Sequence, residues 1–179
     1  MRTDTFTAHV RINAAIFRRF ALFDTFRLKR RWVSPAVFSV ILIAFSFAAM
    51  ISGKQQAQMI GTVLQFIGLG LPLCYVLHFL VQVHDQCKRL GLKNLRPAYT
   101  LNFAENELRV VNDMASEPEV RLPYASLHGV WRVNGAYYIY AAPSRAFILP
   151  DGQYPLSPAA LWTHFKSVLA PGALHGRRP

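Results

Sequence analysis

Between Val33 and Ile51, and again between Gln55 and Val83, the chain carries no Asp, Glu, Lys or Arg. An α-helix of about 20 residues crosses the hydrocarbon core of a bilayer, so each run is long enough to be a membrane span. The junction SGKQQ, Ser52 to Gln56, has room only for a tight turn. The two runs are therefore expected to form an antiparallel helical hairpin. A helical hairpin buried inside a soluble protein is the alternative, but soluble helices of this length keep a polar stripe and these runs have none. Ser34-Pro35 suits a first helical turn, where the missing proline N–H has no intrahelical partner to lose. Gly68, Gly70 and Pro72 are expected to kink the second helix, because proline removes a backbone hydrogen bond and crowds the preceding turn.

The charges are arranged around these runs. Of 20 Lys and Arg, eight precede Val33, Lys54 alone lies in the junction, and the others follow Val83. Basic residues beside spans are retained on the cytoplasmic side. Both termini are thus expected in the cytoplasm of a bacterial inner-membrane protein, with the Lys54 turn outside. The densest cluster, RLKRRW, sets Arg27, Lys29, Arg30 and Arg31 beside Trp32, and Lys88 and Arg89 follow the second run. Tryptophan concentrates at bilayer interfaces, and a basic side chain near anionic headgroups is worth about 1 kcal/mol. These seven residues are the expected membrane-interface and lipid-headgroup set. The net charge of +11 then reflects anchoring and orientation. A hydrophobic fraction of 53%, a charged fraction of 16% and a mean hydropathy of +0.21 fit a chain partly dissolved in lipid. Cys74 and Cys87 supply no disulfide framework and are expected to be reduced packing residues. No cleavable signal peptide is expected, since the first apolar run lies behind a long arginine-rich segment.

Outside the runs the pattern changes. TDTFTAHVRI alternates from Thr3 to Ile12 like a short strand, and Asn13 to Arg31 reads as a helix capped by Asn13. Its Ile16, Phe20, Phe23 and Phe26 gather on one arc with Arg19 and Arg27. An interfacial helix with snorkelling arginines is expected there, with packing on the C-terminal domain as the alternative. After the second run the helix is expected to end near Gly91 or Pro97. Six short β-branched or aromatic segments follow: 98–103, 107–111, 119–123, 127–133, 136–142 and 145–150, separated by turns such as VNG at 133–135. Ser157-Pro158 then opens a helix over 157–170, with Leu161, Phe165, Val168 and Leu169 on one face. The expected organisation is a strand and basic helix in 1–32, a helical hairpin in 33–97, a β-rich α+β domain in 98–170 and a flexible tail in 171–179.

Two stretches of the β-rich part carry a resemblance. LPYASLHGV (Leu122 to Val130) and FILPDGQY (Phe147 to Tyr154) sit where the YcxB-like family of bacterial membrane proteins has an aliphatic-Pro-Trp motif and an aliphatic-aliphatic-Pro-Lys-Arg-x-Phe motif. The chain resembles that family in element order over almost its whole length. Pro123, Tyr124, Pro150 and Tyr154 are the matching motif positions. The sequence departs from the pattern at Tyr124, where the family has tryptophan, and at Asp151-Gly152, which replace the basic pair. The resemblance implies a small pleckstrin-homology-like (PH-like) domain and implies no catalytic residues. Physically, both prolines suit strand boundaries, and both tyrosines suit the edge of a core.

Chemistry is sparse. His84 and Cys87 share a helix face, and Cys74 with His78 lie inside the second run, but two ligands do not make a metal site. Glu105 with Glu107 and Glu117 with Glu119 read as solvated turn and strand residues. Trp131, Tyr137, Tyr138 and Tyr140, interleaved with Arg132 and Arg145, have the composition of a nucleic-acid stacking surface. Strand alternation, however, sends Tyr137 and Tyr138 to opposite faces, so at least one face is core. The expected function is a non-enzymatic binding or regulatory module on the membrane, without a cofactor. Its expected partner is membrane lipid, another membrane protein or a second copy, and not nucleic acid. The competing expectation is a membrane enzyme or transporter component using His78, His84 and Cys87. Close helix packing is expected through Ala44 with Ala48 and Ala57 with Gly61.

Overall fold

The computed structural model describes residues 5–112 and 118–179. The chain is α+β and divides into two compact units. One joins the N-terminal segment up to Ile16 with Asn94–Pro179, and the other is Phe17–Lys93. Thr3 and Asp4, where the first strand was expected to begin, and Glu117 lie outside the described residues.

The first unit contains two four-stranded sheets. In one, β1 (Phe6–Ile12), β2 (Arg96–Phe103), β3 (Glu107–Asn112) and β4 (Val120–Pro123) run antiparallel in sequence order. Alternation sends Ala8, Val10 and Ile12 of β1, Leu101 and Phe103 of β2, and Leu108 and Val110 of β3 into the core. Phe6 stacks on its cross-strand partner Phe103 with ring centroids 4.4 Å apart. A bulge interrupts the β1–β2 register between Val10 and Arg11. The Gln153 side chain accepts from the Arg11 N–H at 2.7 Å and donates to its carbonyl at 3.0 Å, so backbone groups of this edge strand are satisfied by a side-chain amide.

The second sheet orders β7 (Arg145–Pro150), β6 (Ala136–Ala142), β5 (Gly129–Val133) and β8 (Leu174–Gly176). Asn134 and Gly135 both take positive φ, 48° and 78°, as the two-residue turn between β5 and β6 requires. All five residues from Ala136 to Tyr140 are buried, so both faces of β6 are covered. The aromatic set on it is core. The expected flexible tail is different here: Leu174–Gly176 pairs with β5 in parallel. His175 stacks on Trp131 at 4.5 Å, and Gly176 adopts φ 112° where a Cβ would fall 2.5 Å from the Arg132 carbonyl oxygen. A strand this short has no alternation to reveal it.

Helix α4 (Pro158–Val168) is capped as its sequence suggests, with the Ser157 hydroxyl accepting from the Ala160 N–H at 3.2 Å. Its Phe165 reaches Phe103 of the first sheet at 5.9 Å and Tyr137 of the second at 5.4 Å. Phe165 and Leu161 are fully buried, so this helix joins the two sheets into one core.

In the second unit, α1 (Ala14–Leu22) continues directly into a π-helical segment, Phe23–Leu28. The Asn13 side chain caps α1 by accepting from the Ile16 N–H at 2.9 Å. Phe26 packs edge-on against Tyr75 and Phe79, at 6.3 and 5.1 Å. The phenylalanine face thus lies on α3, which neither sequence expectation included. Helices α2 (Val33–Ile51) and α3 (Gln55–Arg89) are the long apolar pair, joined by Ser52, Gly53 and Lys54.

Their seam is built on a seven-residue spacing. Ser39 and Ser46 of α2 are buried against Gly68 and Gly61 of α3, and each serine hydroxyl donates to the facing glycine carbonyl. A Cβ on Gly61 would come within 2.9 Å of the Ser46 carbonyl oxygen, so only glycine allows this approach. Ala44 and Ala48 point outward, which corrects the packing expected from them. α3 passes through Pro72 without interruption. Proline has no N–H for the carbonyl four residues earlier, which is that of Gly68. The Ser39 hydroxyl supplies the missing donor from the neighbouring helix.

Two outcomes follow. Ser39→Ala should cost about 1–2 kcal/mol by leaving the Gly68 carbonyl unsatisfied, and most of this cost should vanish in a Pro72→Ala background. Thermal unfolding of the four variants of that cycle in detergent measures the coupling. A fragment of residues 94–179 lacks β1, whose Val10 and Ile12 each contribute about 1.5–3 kcal/mol by burial. It should aggregate or melt without cooperativity, and joining residues 5–12 to it through a flexible linker should restore a single sharp transition.

Candidate membrane-interface site

The basic cluster before α2 is a constrained turn. Lys29 Nζ lies 2.7 Å from Asp24 Oδ2, the Arg31 N–H donates to the Thr25 carbonyl at 3.0 Å, and Trp32 Nε1 donates to the Phe26 carbonyl at 3.0 Å. The chain reverses through Arg30, whose φ of 46° costs an L-residue about 1–2 kcal/mol. Arg27, Arg30 and Arg31 are exposed, whereas Lys29 is held inside by Asp24. Trp32 is 45% exposed with its N–H satisfied, which leaves an apolar ring outside.

Lys88 and Arg89 occupy the last turn of α3, where cations favour the carbonyl end of the helix. That end is closed by a pair of bonds around Gly91 at φ 64°: Gly91 N–H to Lys88 carbonyl at 3.0 Å and Leu92 N–H to Cys87 carbonyl at 2.9 Å. The two basic clusters are not one ring. Extending the Ser46–Gly61 and Ser39–Gly68 pairs by seven residues sets Trp32 level with Tyr75, and Lys88 lies about 20 Å farther along α3 at 1.5 Å per residue. Along this extension the π-helical segment packs on α3 and leaves a cleft of about 380 Å³. Asp24, Thr25 and Arg31 line one side, and Tyr75, His78 and Gln82 line the other.

The remaining histidine and cysteine positions diverge. His78 Nε2 is 2.9 Å from the Gln82 side-chain amide, His84 is exposed, and Cys87 is buried. Among the described residues, no group of three His, Cys, Asp or Glu is placed to hold a metal ion.

In the other unit, Pro123 ends β4 and Pro150 ends β7. Tyr124 is buried and donates to the Ala104 carbonyl at 3.0 Å; burial raises its phenol well above the usual value. Tyr154 donates to Asp151 Oδ1 at 2.7 Å, and burial together with that bond raises its pKa also. Asp151 forms a bidentate pair with Arg132 at 2.8 and 2.6 Å, and Arg132 lies over the Tyr137 ring at 4.7 Å. Burial pushes the Tyr137 phenol up to about 12, and its hydroxyl donates to the Pro158 carbonyl. Asp151 thus serves as the anchor for an arginine and a tyrosine. His164 on α4 faces Phe6, Phe103 and Tyr124, and burial lowers its pKa. Glu107 pairs with Arg109 at 2.6 Å, and Glu119 approaches Arg109 and Arg121.

No family model, curated protein or solved structure matches this chain. Sequence reading missed the Asp24–Lys29 pair, the cleft and the role of Asp151; the only available signal was the five-residue spacing of Asp24 and Lys29, which fits a π-helix better than an α-helix.

Placing a lysine at position 151 should harm this protein. Asp151→Lys removes the carboxylate that Arg132 and Tyr154 share and sets two cations together, and should cost about 3 kcal/mol or more. Asp151→Asn should cost less, because it keeps acceptors for Tyr154. Chemical denaturation followed by tryptophan fluorescence checks the order.

Proposed function

We propose that this chain is a two-span bacterial inner-membrane protein, related in organisation to the YcxB-like family. In this reading its β-rich unit is a cytoplasmic PH-like module that binds or regulates rather than catalyses. The observation that carries the reading is the pairing of β1 with β2. β1 precedes the first apolar helix and β2 follows the second, so a single sheet requires both ends of the hairpin to lie in one compartment. The excess of Lys and Arg at those ends makes that compartment the cytoplasm.

Two further features support it. The apolar windows of α2 and α3 are only 11% and 17% buried, whereas a core helix of a soluble protein is mostly covered. Phe45, Ile51 and Phe66 are among the large side chains turned outward. The β-rich unit has four antiparallel strands in one sheet, three antiparallel strands and the parallel β8 in the other, and α4 packed on both, which supports reading it as a PH-like module. Its ligand is then membrane lipid, a membrane-protein partner or a second copy of the chain.

Cysteine labelling tests the arrangement. With Cys74 and Cys87 replaced by alanine, a single cysteine at Lys54 should react with a membrane-impermeant maleimide in spheroplasts. Single cysteines at Thr7 and Lys166 should react only after permeabilisation. Equal labelling of all three in sealed spheroplasts, or recovery of the protein in the soluble fraction, overturns the proposal.

A further inference from the structure

We propose that the cleft between the π-helical segment and α3 binds the phosphodiester headgroup of a membrane phospholipid, with Arg31 as the anion ligand. This rests on the membrane-spanning reading above and adds to it a specific site.

The electrostatics select an anion. Asp24 lies in the cleft but is matched by Lys29 at 2.7 Å. Arg31 also lines the cleft, is exposed, and makes no ion pair among the described residues. One uncompensated guanidinium remains, and its planar fork of donors fits two oxygens of a phosphodiester monoanion. Thr25 and Tyr75, which also line the cleft, carry neutral hydroxyl donors.

The shape selects a lipid. Phe17, Phe20 and Phe79 supply an apolar wall beside these polar groups. A headgroup with its glycerol and first methylenes needs that combination, whereas a free phosphate ester has no use for it. About 380 Å³ lies within the range of small-molecule sites and is too small to enclose acyl chains, which are left to the apolar surface of α3. Tyr75, at the level of Trp32 and the start of α2, sets the cleft at the boundary where phosphates occur.

The backbone explains why the cleft is there. A π-helical segment is wider than an α-helix and is frequent at functional sites. The left-handed residue Arg30 follows it, and Arg31 lines the cleft together with residues of α3.

The test uses the full chain, extracted from native membranes in mild detergent, with native mass spectrometry as the readout. The unmodified protein should retain one phospholipid. Arg31→Gln should reduce retention about tenfold, the scale of one lost charge-assisted hydrogen bond. Tyr75→Phe should reduce it less, and Arg27→Gln, outside the cleft, should leave it unchanged. Protein that retains no phospholipid, or equal losses in the Arg31 and Arg27 variants, overturns the site. Displacement of the lipid by millimolar glycerol phosphate shows a soluble phosphate ester to be the ligand and also overturns it. Alkaline carbonate extraction of the same membranes is a separate check: release of the protein defeats the membrane reading, whereas loss of lipid from protein that stays in the membrane defeats the site alone.

Discussion

The β1–β2 pairing is the constraint on which the rest depends. Thr7 bonds the Asn102 side chain at 2.8 Å across 95 positions of sequence, and His9 meets Thr100 in the same ladder. Closing a flexible loop of that length costs roughly 4 kcal/mol in chain entropy, beyond a constant term. The intervening chain is not flexible, because α2 and α3 form an antiparallel hairpin that returns the backbone toward its origin. A preformed hairpin lowers the closure cost, and the sheet in turn ties both flanks of the hairpin to one side. Order of synthesis follows as well, since β1 has no strand partner until both helices have been made.

The two units are held together internally by different forces. In the β-rich unit, Phe103, Tyr137, Leu161 and Phe165 leave water, and burial of apolar surface is the main term. Between α2 and α3 that term is weak if lipid is the solvent, because a lipid tail is as apolar as a leucine. Contact must then come from close backbone approach and from hydrogen bonds across the seam. Gly61 and Gly68 provide the approach, and Ser39 and Ser46 the bonds. Pro72 turns one of those bonds from a modest gain into a requirement, because without Ser39 a carbonyl would face hydrocarbon alone.

What could be read from sequence followed from periodicity. Strands β1 to β7 are visible because β-branched and aromatic runs are punctuated by turns, with burial alternating along β1 and β3, and α4 because Ser157, Pro158 and an apolar face coincide. The apolar helices needed only an absence of charge. What escaped had no period to betray it. β8 is three residues long and exists through the Trp131–His175 stack. The helix seam was sought at four-residue spacing in Ala44 with Ala48 and Ala57 with Gly61; Gly61 does lie in it, but its partners are Ser39, Ser46 and Gly68, an antiparallel seven-residue match that neither helix displays alone. Asp151 looked like the loss of a motif because Arg132, its bidentate partner, lies on β5, 19 positions away. The cleft depends on a π-helical backbone, and no residue in Phe23–Leu28 requires one.

The basic residues show how one composition can serve two moments in the life of a chain. Orientation during insertion counts charges near the spans before tertiary structure exists. If the chain inserts as proposed, Lys29 counts there with full weight, yet in the folded protein Asp24 holds it at 2.7 Å. Lys88 and Arg89 lie about 20 Å along α3 beyond the level of Trp32, more than twice the roughly 8 Å screening length at physiological salt. For a helix near the membrane normal their lasting role is at the carbonyl end of α3. On the proposed membrane arrangement, Arg27, Arg30 and Arg31 stay exposed and keep both roles, and of these three Arg31 lines the cleft.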